Sequence, residues 1–295
     1  MKPHNRLFLV LILLCMGACA SYQGHIGDRR PLDLVAFDTL EPQVYTPPHW
    51  PQALEARVRI PRTQGPHPAV LLVHGGGWQR GSPGSMEGIA RRLARQGLVT
   101  VNVDYRFAPA HRFPAQLHDL QLAMHWLHEQ ADELDINPNR IAAFGFSSGG
   151  HLVSLLTVVA GQGGELDQQW GGPRTRPAAV VLGGSPSDLR LWEDGRLVVD
   201  FLGGTRAEMP ETYAQASPLV HVHDNGLPPF FLFHATRDRI VSPEHSEQFH
   251  ARLQEKGVPS ELHYQCCRGH FSGFIFRRVA MMELEAFLLR ELAGP

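Results

Sequence analysis

Two serines stand side by side in the stretch AAFGFSSGGHL, residues 142–152, with glycines close on both sides. A serine hydroxyl is a weak nucleophile until a base takes its proton. Flanking glycines let the chain turn sharply enough to present it. Gly145-x-Ser147-x-Gly149 has that spacing. The pattern is short, and with 29 glycines in 295 residues roughly 0.13 chance matches are expected per chain. HGGGW, residues 74–78, is rarer: roughly 0.016 chance His-Gly-Gly-Gly matches are expected in a chain of this composition. Consecutive glycines bring backbone N–H groups close to a ligand with no side chain in the way. Donors aimed at a tetrahedral oxyanion assist acyl transfer by about 2.7–4 kcal/mol each. A phosphate-binding reading fails, because no Gly-Lys-Ser/Thr follows and no G-x-G-x-x-G is present.

These residues need elements to hold them. From Leu54 onward, short apolar runs alternate with helical patterns. EARVRIP alternates with period two, while AVLLVH (69–74), LVTVNVDY (98–105), RIAAFGF (140–146), AAVVLGG (178–184), PFFLFHA (229–235) and SELHYQ (260–265) read as strands, mostly buried. Between them, Leu117, Leu120, Met124 and Leu127 fall on one helical face. PEHSEQFHARLQEKG opens with Pro243 after Ser242 and closes at Gly257, as a capped helix does. RVAMMELEAFLLRELAG is amphipathic. Strands alternating with helices predict an α/β fold: a mostly parallel central sheet with helices on both faces and no large separate lid. We read residues 54–295 as one catalytic domain and residues 21–53, rich in Pro and polar groups, as a linker and N-terminal arm.

In such a sheet, ligands bind beyond the carboxyl ends of the strands. RIAAFGF ends at Phe146, and SSGGHLVSLLTVVA reads as a helix, so Ser147 occupies a sharp strand-to-helix turn. Ser147 is then the nucleophile, with Ser148 donating its backbone N–H beside Gly76 and Gly77. The plainer reading, that both serines only cap the helix, stays open at this level.

The motifs together carry a resemblance. HGGGW, VDYRFAP (103–109), GFSSGGHL, SPL (217–219), HATRDRIV (234–241) and RGHFSGF (268–274) resemble the α/β-hydrolase superfamily. Within it they are most similar to the esterase/lipase branch with HGGG oxyanion loops, of hormone-sensitive-lipase-like and feruloyl/acetyl-esterase-like type. The likeness covers roughly residues 55–293. It implies a serine carboxylesterase with no metal or organic cofactor. It also implies that His74 shapes the oxyanion loop rather than acting as base. Phe146, Ser148 and Ala235 depart from the residues common at those places, but none is a reacting group.

The catalytic partners follow from the chain order Ser, acid, His that this fold requires. Asp238 lies just past PFFLFHA and is the acid; Glu244 falls inside a predicted helix, and Asp224 precedes the strand. His270 lies in a loop after SELHYQ and is the base, whereas His263, inside that strand, is structural. Trp78 and Phe146 are candidates for the substrate pocket, and residues 184–228 either border it or form a surface excursion. The expected substrate is a small or short-acyl ester. An amide-cleaving relative, arylformamidase or peptidase, and a non-catalytic binding module remain the alternatives.

A net charge of -2 and a pI near 6.8 leave no electrostatic footprint for nucleic acid. Lys2 and Arg6 precede the apolar run Leu7 to Met16, and small residues follow, the pattern of an export signal over residues 1–20. The run is too short to span a bilayer. Two endings stay open: a lipoprotein signal with Cys19 lipidated, or cleavage before Ser21. Either places the protein in a bacterial cell envelope or outside the cell, with membrane contact only through that lipid. HVHD (221–224) is too sparse for a metal site. Cys266 and Cys267 are neighbours, too few for a disulfide framework or a zinc site; they read as two small semi-buried residues, with a strained vicinal disulfide left open in an oxidising periplasm. The oligomeric state is not encoded in any of these features.

Overall fold

The computed structural model describes residues 20–23, 34–275 and 277–293. The expected export signal, including Cys19, lies outside them except for Ala20. Ten strands form one sheet: β1 Ala20–Gln23, β2 Phe37–Thr39, β3 Gln43–Val44, β4 Glu55–Pro61, β5 His67–Val73, β6 Val99–Val103, β7 Ile136–Phe146, β8 Val180–Gly183, β9 Phe230–Ala235 and β10 Ser260–Gln265. Their order is β1-β10-β9-β8-β7-β5-β6-β4-β2, with β3 also on β4. The run from β10 to β6 is parallel; β1 joins β10, and β4 joins β6, antiparallel.

Within the stretch read as an N-terminal arm, Phe37–Thr39 and Gln43–Val44 are part of this sheet. β2 and β3 both pair with β4, so a boundary at residue 54 would cut through a hydrogen-bonded edge. Tyr45 is buried and donates to the Asp104 carbonyl, and Trp50 donates to Asp119. Proline-rich sequence excludes a helix here but not two short edge strands, where missing N–H donors are tolerated.

Strand alternation sorts the core into two layers. Ala69, Leu71 and Val73 of β5 pack on one face, Val70 and Leu72 on the other. Phe230 and Leu232 of β9 join the first layer, Phe231 and Phe233 the second. The first layer is covered by α1 Ala115–Glu129, α2 Ser148–Val159 and α3 Glu244–Glu255; Leu117, Leu120, Met124 and Leu127 are all fully buried, as their spacing predicts. Glu87–Ala94 and the C-terminal helix Arg278–Glu291 cover the second. The fold class is the one expected, a mostly parallel sheet between helical layers with no separate lid domain.

Candidate active site

β7 runs out at Phe146 and α2 begins at Ser148, leaving Ser147 alone at the apex. Its φ of 54° and ψ of -125° lie where non-glycine residues are strained, at a cost of roughly 1–3 kcal/mol. The flanking glycines permit this by absence of bulk rather than by their own dihedrals. A Cβ on Gly145 would lie 2.3 Å from the Gly149 carbonyl oxygen, and one on Gly149 would lie 2.3 Å from that of Val73. The strand, the turn and the helix can approach this closely only with hydrogens at both positions.

Three side chains from three strand ends meet at the turn. His270 Nε2 is 2.8 Å from Ser147 Oγ, and His270 Nδ1 is 2.6 Å from Asp238 Oδ2. The other carboxylate oxygen of Asp238 accepts the N–H groups of Ile240 and Val241, each at 2.9 Å. Burial pushes the Asp238 carboxyl up. Hydrogen bonds from His234 and His270, the His270 charge and the Val241 N–H outweigh it and hold the group well below the ordinary carboxylate range. Asp238 is therefore an anion, able to fix the imidazole with Nδ1 protonated and Nε2 free to accept from Ser147. Asp224 is exposed and precedes β9, and Glu244 opens α3; neither is in the cluster.

One expected detail differs. His270 is not in a loop but is the first residue of a short helix, α4 His270–Ile275. Gly269 immediately precedes it, and the Gly273 N–H donates back to the Gly269 carbonyl at 2.8 Å. The ring is thus held by helix geometry rather than free to swing.

The glycine loop lies across the turn. Gly76 and Gly77 have φ of 142° and 62°, and a Cβ on Gly76 would fall 1.7 Å from the Arg80 carbonyl oxygen. Among the described residues, the N–H groups of Gly76 and Gly77 donate to no other group. The Ser148 N–H opens a helix, where intrahelical partners are lacking. His74 shapes this loop: its ring stacks on Tyr105 with centroids 4.5 Å apart, and Tyr105 Oη donates to the His74 carbonyl. A Cβ on Gly81 would strike the same imidazole. His263 is buried on β10, away from the cluster.

A cavity of about 250 Å³ opens at Ser147. Its wall includes Gly77, Trp78, Pro186, Trp192, Leu197 and Val241. Trp78 lies on that wall as expected, stacked on Phe201 with centroids 4.6 Å apart and donating to His151 Nδ1. Phe146 does not line it. Strand alternation turns its side chain to the second core layer, where it packs behind His270 and Phe274. The excursion 184–228 does border the cavity, through Pro186, Trp192 and the helix Arg196–Leu202.

Residues 58–253 match the BD-FAE family. The chain belongs to that family. This BD-FAE chain shares 34% identity over 198 residues with Esterase LipC of Mycobacterium tuberculosis, covering 64% of its own length and 49% of LipC. It spans half or less of the length of the curated relatives it matches. Among solved structures, a truncated carbohydrate esterase from gut microbiota superposes with a TM-score of 0.79 at 19% identity, covering 89% of this chain and 98% of that one. Thermogutta terrifontis Est2 with propionate bound superposes at 0.72 with 25% identity, covering 86% and 96%.

Two buried histidines of this BD-FAE chain escaped sequence reasoning. His234, on β9, has Nε2 3.5 Å from Asp238 Oδ2 and 3.0 Å from the Val241 carbonyl, while Nδ1 is 2.7 Å from Ser246 Oγ. His151, one turn along α2 from Ser147, bridges Trp78 to the Ala216 carbonyl, and burial pushes its imidazole down to about 4. With 17 histidines in the chain, residue type alone could not single them out. Position could have helped: His234 is next to last in a core strand, four residues before Asp238.

Among the described residues, no group of three or more His, Cys, Asp or Glu could hold a metal ion, and no helix is long and apolar enough to cross a membrane. The HVHD histidines bond elsewhere, His221 to the Gln215 carbonyl.

Proposed function

We propose that this protein is a serine carboxylesterase that hydrolyses small or short-acyl esters. The observation that carries the reading is the hydrogen-bonded series Asp238–His270–Ser147 at the mouth of an apolar cavity, with unpartnered glycine N–H groups beside it. Ser147 Oγ attacks the ester carbonyl carbon as its proton passes to His270 Nε2, with Asp238 stabilising the imidazolium. The N–H groups of Gly76, Gly77 and Ser148 receive the oxyanion. His270 then protonates the leaving alcohol. Water, activated by the same imidazole, attacks the acyl-serine, and the acid leaves as Ser147 regains its proton. No step calls on a metal or an organic cofactor.

The names of the relatives support ester chemistry, and propionate in the Est2 structure supports a short acyl group. So does the cavity, which at about 250 Å³ is smaller than the roughly 300–1,000 Å³ of sites for drug-sized ligands. A series of p-nitrophenyl esters from acetate to palmitate tests the substrate class. We expect the highest kcat/KM for acetate to butyrate and a fall of roughly tenfold or more by octanoate. A preference for palmitate would overturn the short-acyl reading.

Export to a bacterial cell envelope is proposed on the strength of Lys2, Arg6 and the apolar run 7–16. Mass spectrometry of the mature N-terminus tests it: a lipidated Cys19 or an unmodified Ser21 supports export, and a retained Met1 contradicts it.

A further inference from the structure

Cys266 and Cys267 lie four and three residues before His270, directly after β10. Side chains of adjacent residues in extended chain point to opposite sides. Here Cys267 has a φ of 64°, and the turn brings the two Sγ atoms to 2.9 Å. Cys267 is exposed and Cys266 half-buried. The turn is stitched to the loop that carries Asp238. The Cys267 N–H donates to Thr236 Oγ1 at 2.9 Å, the Thr236 N–H to the Gln265 carbonyl at 3.0 Å, and the Arg237 N–H to the Arg268 carbonyl at 2.9 Å. Gly269 then ties directly into the helix of His270, its N–H donating to Ser272 Oγ. Little slack separates the thiols from the catalytic imidazole.

We propose that Cys266 and Cys267 form a reversible dithiol–disulfide site, oxidised by a disulfide such as that of a thiol oxidant in the envelope, and that closing it withdraws His270 from Ser147. The control of activity rests on the reading of His270 as the catalytic base. The exchange balances: the Cys267 thiolate attacks one sulfur of the oxidant, giving a mixed disulfide and releasing one thiol. The Cys266 thiolate then displaces the second thiol and forms the Cys266–Cys267 bond. The two cysteines lose two protons and two electrons, and the oxidant is reduced to two thiols. Adjacent Cα atoms sit about 3.8 Å apart across a trans peptide, closer than the usual disulfide separations of roughly 4.4–6.8 Å. The closed ring is therefore strained and readily reduced, which suits a switch rather than a staple. Closing it must also move the Cys267 backbone, which is bonded to Thr236.

The test exposes the purified full chain to oxidised glutathione, alkylates residual thiols, and digests with trypsin. The peptide Gly257–Arg268 contains both cysteines and no other. We expect that peptide about 2 Da lighter and unalkylated, kcat for p-nitrophenyl acetate lowered at least about tenfold, and recovery with dithiothreitol. Cys267→Ser should match the reduced protein in kcat before oxidation and form no intramolecular disulfide with the oxidant. Two alkylated thiols after prolonged exposure, a bridge to any other cysteine, or a closed disulfide with unchanged kcat would each overturn the proposal. If the reduced protein turns over no ester while the lighter peptide still forms, the esterase reading fails and the dithiol site stands without its control of His270.

Discussion

His234 Nε2 lies 3.5 Å from Asp238 Oδ2, the same oxygen that accepts from His270 Nδ1. Two imidazoles thus converge on one carboxylate, and the deeper of them is fully buried and held by Ser246 and the Val241 carbonyl. In the proposed mechanism His234 is a positioning residue: it holds the segment 238–241 whose carboxylate orients the His270 imidazole. We expect His234→Phe to lower kcat by roughly 10- to 100-fold with little change in KM, since small misplacements of reacting groups cost that much. His234→Gln, whose amide can still donate to the Val241 carbonyl, should recover part of the loss. Steady-state kinetics of the two variants decide it; an unchanged kcat in His234→Phe would show that Asp238 needs no such support.

Gly76 is the stricter of the two proposed glycine donors. Its φ is 142°, and a Cβ there would fall 1.7 Å from the Arg80 carbonyl oxygen, so no side chain fits. Gly76→Ala should displace the loop and lower kcat by roughly 10²–10³-fold, the loss typical of one oxyanion donor. Circular dichroism and kcat measured together check this, with an intact fold and wild-type kcat as the contrary result.

Stability should depend on pH through His151. Burial, the leading cause, pushes the folded-state imidazole down to about 4 from an ordinary 6.5. Between those values the unfolded chain binds the extra proton and the folded protein does not. The stabilisation is therefore fully present above about pH 6.5 and is lost as pH falls toward 4, by up to about 3 kcal/mol. Urea midpoints at neutral pH and at pH 5 should show this loss, and His151→Gln should reduce it without abolishing it, because burial also pushes His118 and His245 down to about 4. Equal slopes in both proteins would exclude His151 as the source.

Much of this site is legible in the sequence, for identifiable reasons. Ser147 and Asp238 each follow a core strand whose apolar run is plain, His270 follows the more polar β10, and the strand order brings those ends to one edge. The two glycine motifs are short but chemically restrictive. What is not legible has physical causes too. β2 and β3 are three and two residues long, too short for any periodicity to show. α4 has six residues, so in sequence His270 reads as part of a loop. Phe146, a pocket candidate in the sequence, is sent by strand alternation to the second core layer. His234 carries only a positional signal, near the end of β9, and its approach to Asp238 emerges in the fold.

The two adjacent serines remain the most direct point of test. Ser147 Oγ is 2.8 Å from His270 Nε2, whereas the Ser148 hydroxyl lies 3.4 Å from Tyr105 Oη, and the proposed mechanism uses only its backbone N–H. The measurement is kcat/KM for p-nitrophenyl acetate in Ser147→Ala and Ser148→Ala, both checked for folding. The account predicts a loss of roughly 10⁴-fold or more for Ser147→Ala and a change within about threefold for Ser148→Ala. Turnover by Ser147→Ala close to that of the unaltered protein would contradict it.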